Sequence, residues 1–347
     1  MNTRLFNKKP VLVAEISANH NGNINTAKKL ISLAKKNGAD AIKLQTFTPD
    51  GMTINSKKKD FKIKNGTWKN KYLWDLYNQA QTKLEWHKEL FKYSKRNKIL
   101  CFSTPFHEES VDFLEKLNCP IYKVASFEIT DLDLIKYIAS KKKPMIISTG
   151  LASEKEIEDA FKIAFKYGNK DITLLYCVSS YPAPLADFNL NNIKIMKKKY
   201  NCKIGFSDHS TDIDVTKSAI AVGAELIEKH IILSNDKNSL DAKFSYPVEK
   251  LRNLRNAIDK TYNLLGKKNF HRTKNEKNNI IFRRSIYVSK KILQGEVLTK
   301  LNIKKVRPGY GGDIKFYSRL LGKKSPMRLN SGDRFENKLI KSILRIK

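Results

Sequence analysis

Lys203-Ile204-Gly205-Phe206-Ser207-Asp208-His209 is a short apolar run that ends in polar residues. Residues 212–222 then follow a helical period and stop at Gly223. The first pattern returns as Leu226-Ile227-Glu228-Lys229-His230. Such runs are too short for helices and read as strands covered on both faces. A glycine just past a helical stretch supplies the left-handed residue that ends it. The segment is therefore a strand–helix–strand unit whose two strands both end in histidine.

The same rhythm extends in both directions. Apolar runs occupy 11–17, 41–46, 100–104, 121–126, 145–150, 172–178, 203–208 and 226–231. Helical patterns fill 25–37, 85–97, 109–117, 153–167 and 212–222, and resume at 247–265. Gly38 and Gly168 repeat the role of Gly223, and Ser153 with Glu156 forms a capping box. Eight such units in about 260 residues predict an α/β fold, a (β/α)8 TIM barrel. A doubly wound open sheet would carry a glycine-rich phosphate loop after its first strand. Asn19-His20-Asn21-Gly22 stands there instead. Residues 47–84 interrupt the second unit with Trp68, Tyr72, Trp74 and Tyr77, where they would lie over the active-site face or pack as an extra helical hairpin. The barrel is expected over 1–266, a polar linker without periodicity over 267–280, and a small, mostly β module over 281–347.

The chain carries 67 basic and 34 acidic residues. That balance raises a non-enzymatic alternative, a basic nucleic-acid-binding protein, which calls for a localised stripe with interleaved aromatics. Here the lysines are dispersed and sit beside Asn and Ile, so a solvated basic surface is expected, with no nucleic acid as partner. Cys101, Cys119, Cys177 and Cys202 form no CxxC pair and show no zinc or disulfide framework, so buried free thiols are expected at Cys101 and Cys177. Met1-Asn2-Thr3-Arg4-Leu5 lacks an apolar leader pattern, and no apolar run approaches the roughly 20 residues of a membrane helix. A cytoplasmic protein with no membrane association is expected.

In a (β/α)8 enzyme the chemistry sits at the C-terminal ends of the strands. Polar residues gather there in every unit: Asn19 and His20, Lys43 and Gln45, Ser103 and Thr104, Lys123 with Ser126 and Glu128, Ser148 and Thr149, Ser179 to Tyr181, Ser207 to His209, and Lys229 with His230. A lone strand-end histidine is commonly a satisfied structural residue. Eight polar ends in register are harder to put down to packing, because an ordinary strand end has no need of Lys, His or Ser there. His209 and His230 end adjacent strands, so their imidazoles can meet at one divalent metal, manganese or magnesium. Lys43 and Lys123, flanked by Ser126, Ser148 and Ser207, suit a cradle for phosphate and carboxylate. A Schiff-base lysine is the alternative on these residues alone.

Several stretches together resemble the sialic acid synthase family over nearly the whole chain. They are Ala14-Glu15-Ile16-Ser17-Ala18-Asn19-His20-Asn21-Gly22, Lys43-Leu44-Gln45-Thr46-Phe47, Ser103-Thr104-Pro105-Phe106, Tyr122 to Glu128, Ser148-Thr149-Gly150, Ser179 to Pro184, Gly205 to His209 and Glu228-Lys229-His230. Residues 282–335, with Arg307-Pro308-Gly309, are similar to that family's antifreeze-like (SAF) domain. The 66–87 insertion and Ser239 to Ser245 look most like the pseudaminic branch, ahead of the legionaminic and neuraminic ones.

The resemblance implies an enzyme that condenses phosphoenolpyruvate with an acetamido sugar by C–O cleavage, without a Schiff base. It argues against other barrels, the 3-deoxy sugar-acid synthases and class I aldolases. His209 and His230 would hold the metal. Lys43, Lys123, Ser126, Ser148 and Ser207 would hold phosphoenolpyruvate. Gln45, Thr104, Glu128, Tyr181 and Asp241 would face the sugar or the reacting centre, with Glu128, Lys123, Tyr181 and Gln45 as catalytic candidates. Ser179 and Asn21, which stands where the neuraminic branch often has Glu or Gln, join the substrate-binding set. Arg307 would serve the barrel of a partner subunit in a domain-swapped homodimer.

Overall fold

Parallel strands buried on both faces need a continuous apolar pattern, and the eight runs take that form in a computed structural model. It describes residues 10–267 and 269–346. The expectation for residues 1–5, and Lys268 of the linker, lie outside the described residues. The strands are β1 Val11–Glu15, β2 Ala41–Thr46, β3 Leu100–Pro105, β4 Tyr122–Val124, β5 Met145–Ser148, β6 Ile172–Cys177, β7 Lys203–Asp208 and β8 Leu226–Ile232. They pair in chain order, all parallel, and β1 also pairs with β8. The sheet is therefore a closed barrel, as expected. A two-residue strand, β9 Tyr246–Pro247, pairs in parallel beside the end of β8.

Eight helices surround the strands: α1 Ile24–Lys36, α4 Leu84–Arg96, α5 Glu108–Lys116, α6 Leu132–Ser140, α7 Glu154–Lys166, α8 Asn191–Lys199, α9 Ile213–Ala221 and α10 Leu251–Leu265. Gly38, Gly168 and Gly223 take positive φ after α1, α7 and α9. Both bonds of the Ser153–Glu156 capping box are present. The glycine signal is missing where Lys98, Asn118 and Lys142 take the left-handed turn after α4, α5 and α6. Strands four and five end earlier than their apolar runs. The chain leaves the sheet there to present Ser126–Glu128 as a short 3-10 turn.

The insertion after β2 folds as two helices, α2 Pro49–Met52 and α3 Leu73–Ala80, joined through a bridge between Lys62 and Tyr72. The chain divides into two compact units, the second beginning at Lys267. The stretch expected as a linker holds one helical turn. Thr273 and Glu276 build a capping box on a short helix, α11 Lys274–Lys277. The second unit has an antiparallel pair, β10 Ser285–Val288 with β11 Ile303–Val306, extended by isolated bridges. Its core of Ile286, Ile292, Leu298, Ile303 and Phe335 also takes in Leu320 of α12 Tyr317–Leu320 and Ile340 of α13 Asn337–Leu344.

Gly205 is a tight point of the barrel wall. A Cβ there would lie 2.6 Å from the Leu226 carbonyl oxygen and 2.6 Å from Leu175 Cδ2. Gly205→Ala should destabilise the chain by about 1–3 kcal/mol with an unchanged urea m-value, read by equilibrium unfolding.

Candidate active site

Alternation along a strand sends every second side chain into the barrel. On β2 these are Lys43 and Gln45, and on β8 Glu228 and His230. The result is a cluster of four buried ionisable groups. Lys43 Nζ lies 3.0 Å from Glu15 Oε2 and 3.2 Å from Glu228 Oε1. Lys123 Nζ lies 3.7 Å from the same Glu228 oxygen. Ser207 Oγ donates to Glu228 Oε1 at 3.2 Å, and Gln45 Nε2 donates to Glu15 Oε1 at 3.1 Å. Lys43 Nζ also reaches Thr104 Oγ1 at 3.4 Å.

Each group is tuned by the others. Burial opposes ionisation of Glu228, but Lys123, Lys43 and His230 outweigh it and hold the carboxyl down at about 2. Burial pushes Glu15 up to about 7 against the pull of Lys43. Burial also brings Lys123 down to about 8, with Glu228 resisting and Lys43 adding to the fall. Glu128, farther along the same loop as Ser126, is raised to about 7 by burial against Lys123. Its Oε2 has no hydrogen-bond partner among the described residues.

The two histidines come together above this floor, ring centroids 5.4 Å apart. His209 Nδ1 lies 3.0 Å from the Val178 carbonyl oxygen. A carbonyl only accepts, so Nδ1 carries the proton and Nε2 presents its lone pair. His230 Nδ1 is buried and has no hydrogen-bond partner among the described residues. Burial lowers the pKa of both imidazoles, that of His230 well below its usual range. Neutral imidazoles with free lone pairs fit a divalent cation. Among the described residues no group of three or more His, Cys, Asp or Glu forms a metal cage, and Asp241 Oδ2 stands 3.8 Å from His230 Nδ1. The donor set suits an ion whose remaining positions go to solvent and substrate oxygens.

Aromatic rings close the cavity from one side. Tyr181 lies 4.6 Å from His209 and 5.0 Å from Phe244, and Trp68 lies 5.7 Å from Tyr181. Trp68 Nε1 donates to the Leu240 carbonyl at 3.0 Å, and Thr67 Oγ1 donates to the Tyr181 carbonyl. Met52, Ile63, Leu76 and Tyr77 add an apolar wall from the insertion. Tyr72 and Trp74 stay outside. Tyr72 takes Lys57 over its ring, and Trp74 Nε1 donates to Asp50. The cavity has a volume of about 350 Å³.

The cavity brings together Lys43, Gln45, Lys123, Ser126, Glu128, Ser148, Tyr181, Ser207, His209, His230 and Asp241. Thr104 touches it through Lys43. Ser179 packs against Gly150. Asn21 is exposed, at φ 50, where its side chain bonds Asp236 and Ser239. Arg307 lies exposed in the second unit. His20 is a buried structural residue, held by the Gly22 amide and Thr82. Glu15 and Glu228 received no role from the sequence. The signal was strand parity, since Glu228 stands two before His230 and Glu15 pairs with Lys43 across β1 and β2.

A closed parallel barrel with cations, carboxylates and imidazoles gathered at its strand ends defines a (β/α)8-barrel enzyme. The NeuB family pattern matches residues 30–270, and the SAF domain pattern matches 283–334. The chain belongs to the NeuB family. It is 42% identical to the pseudaminic acid synthase of Campylobacter jejuni over 94% of this chain and 95% of that one. The pseudaminic acid synthase of Helicobacter pylori is also 42% identical, over 91% and 93%. A crystal structure of the N-acetylneuraminic acid synthetase of Leptospira borgpetersenii superposes with a TM-score of 0.72 at 30% identity, covering 80% of this chain and 92% of that one.

The raised pKa of Glu128 has a consequence for stability. Its folded-state pKa exceeds the unfolded one, so the stability it contributes is present at low pH and lost as pH rises to about 7. Glu128→Gln should be more stable than wild type by roughly 3 kcal/mol at pH 8, with the gap closing near pH 4, in thermal melts across pH.

Proposed function

We propose that the chain condenses phosphoenolpyruvate with 2,4-diacetamido-2,4,6-trideoxy-L-altrose to give the nine-carbon pseudaminic acid and phosphate. The observation that carries this reading is the 42% identity to a pseudaminic acid synthase over almost the full length of both chains. The pair of lysines in the cavity floor, Lys43 and Lys123, supports it.

Phosphoenolpyruvate brings a phosphate and a carboxylate. Lys43 and Lys123 would neutralise them in a site sheltered from water, where such contacts are strongest. Glu228, ionised between the lysines, holds both in place. Ser126, Ser148 and Ser207 supply hydroxyl donors, and Ser148 Oγ has no partner of its own among the described residues. The sugar would lie above, with its acetamido groups against Tyr181 and the insertion wall and its polar groups toward Gln45 and Asp241. A divalent cation, manganese or magnesium, held by His209 and His230 would polarise the aldehyde oxygen when bound.

Carbon–carbon bond formation joins the methylene of phosphoenolpyruvate to the aldehyde carbon, and the aldehyde oxygen takes a proton that Glu128, half protonated near neutral pH, can give. The central carbon, left electron-poor, takes the oxygen of a water. Glu128, poised near neutrality, receives the proton that water gives up. Cleavage of the C–O bond to phosphate, with the hydroxyl proton of the intermediate passing to the departing phosphate, then leaves the keto acid. The reading carries with it a cytoplasmic homodimer in which Arg307 serves the partner's barrel. Among the described residues no helix is long and apolar enough to cross a membrane.

Phosphate release with manganese tests the reading directly. Release is expected with the altrose sugar, and not with 2,4-diacetamido-2,4,6-trideoxy-D-mannose or N-acetylmannosamine. Release with one of the latter keeps the reaction and replaces the acceptor. Lys123→Met should lower kcat/KM by about 10²- to 10³-fold, and borohydride should trap no adduct on either lysine.

A further inference from the structure

One buried ion pair takes no part in the chemistry above. Asp208 and Lys229 are cross-strand partners on β7 and β8. Both side chains are fully buried, with Asp208 Oδ2 2.7 Å from Lys229 Nζ. Alternation puts them on the outer side of the barrel wall, and neither lines the cavity. Each immediately precedes one of the two histidines. Thr216 Oγ1 on α9 donates to Asp208 Oδ2 at 2.6 Å. The amide and hydroxyl of Ser210 donate to Asp208 Oδ1 at 2.9 and 2.7 Å. Lys229 Nζ donates to the Ser210 carbonyl oxygen. Two strands, the turn after β7 and the helix behind it meet at this pair.

Stability alone is a poor reason for such a pair, because well-packed apolar residues often serve as well. Apolar residues cannot fix a turn through directional bonds. His209 sits in that turn between Asp208 and Ser210, and both neighbours are held. We propose that the Asp208–Lys229 pair is a positioning device, which keeps His209 at the distance from His230 at which both imidazoles grip one divalent cation. The inference rests on the metal-binding reading of the two histidines. Neither residue is catalytic, since neither touches the reacting groups.

Calorimetric titration of the full chain with manganese alone tests it. Asp208→Asn by itself strands a buried ammonium and is expected to unfold the chain. The double variant Asp208→Asn/Lys229→Met keeps the volume and removes both charges. Thr216→Val removes a single bond to Asp208. The double variant should melt near wild type yet bind manganese about 10- to 100-fold more weakly, with Thr216→Val in between. Wild-type affinity in a folded double variant overturns the proposal. Should the double variant not fold, wild-type affinity in Thr216→Val overturns it equally. A wild-type chain that binds no manganese, or binds it equally after His209→Ala, removes the metal reading and the proposal with it.

Discussion

Two lysines and two glutamates buried inside one barrel must answer each other's charge. An unpaired ion in that interior would cost several kcal/mol. Lys43 meets this constraint by standing between Glu15 and Glu228, and Lys123 by sharing Glu228. The arrangement fixes the register of β1, β2, β4 and β8, which must bring these positions to one level. It also sets the protonation states that any chemistry would use. Glu228 stays ionised because Lys123 and Lys43 stand against it and outweigh the cost of its burial, and Lys123 is depressed because burial and Lys43 act together. An anionic substrate arriving here would compete with a carboxylate already in place. The floor of the cavity is thus charge-balanced before any ligand arrives.

Much of this was legible in the amino-acid order. Parallel strands covered on both faces advertise themselves as continuous apolar runs, and all eight are present. Their ends also told which loops face the cavity. Eleven of the residues singled out line one volume, because a barrel sends every strand end to the same face. Less visible were helices α6 and α8. Lys142 closes the first where a glycine would have signalled it, and the second has no side-chain cap.

Residues whose roles depend on contact rather than on position escaped. Glu15 and Glu228 look like any charged residue in a motif until their lysine partners are seen. Asn21 follows a strand end closely, yet the left-handed turn there swings its side chain outward to Asp236 and Ser239. Ser179 shows the same limit, since its hydroxyl fills the space that Gly150 leaves open. Aromatic content alone did not separate Trp68 and Tyr77, which line the cavity, from Tyr72 and Trp74, which do not. That division follows from how α2 and α3 pack.

The wall that encloses the cavity and the floor beneath it come from different kinds of structure. Lysines, glutamates and imidazoles stand on or beside barrel strands, whose register the closed sheet enforces. Met52, Ile63, Trp68 and Leu76 stand on an insertion fastened by a few bonds to neighbouring loops. A change in the insertion would reshape the cavity wall while the barrel register, and with it the geometry of the charged floor, stays as the closed sheet sets it.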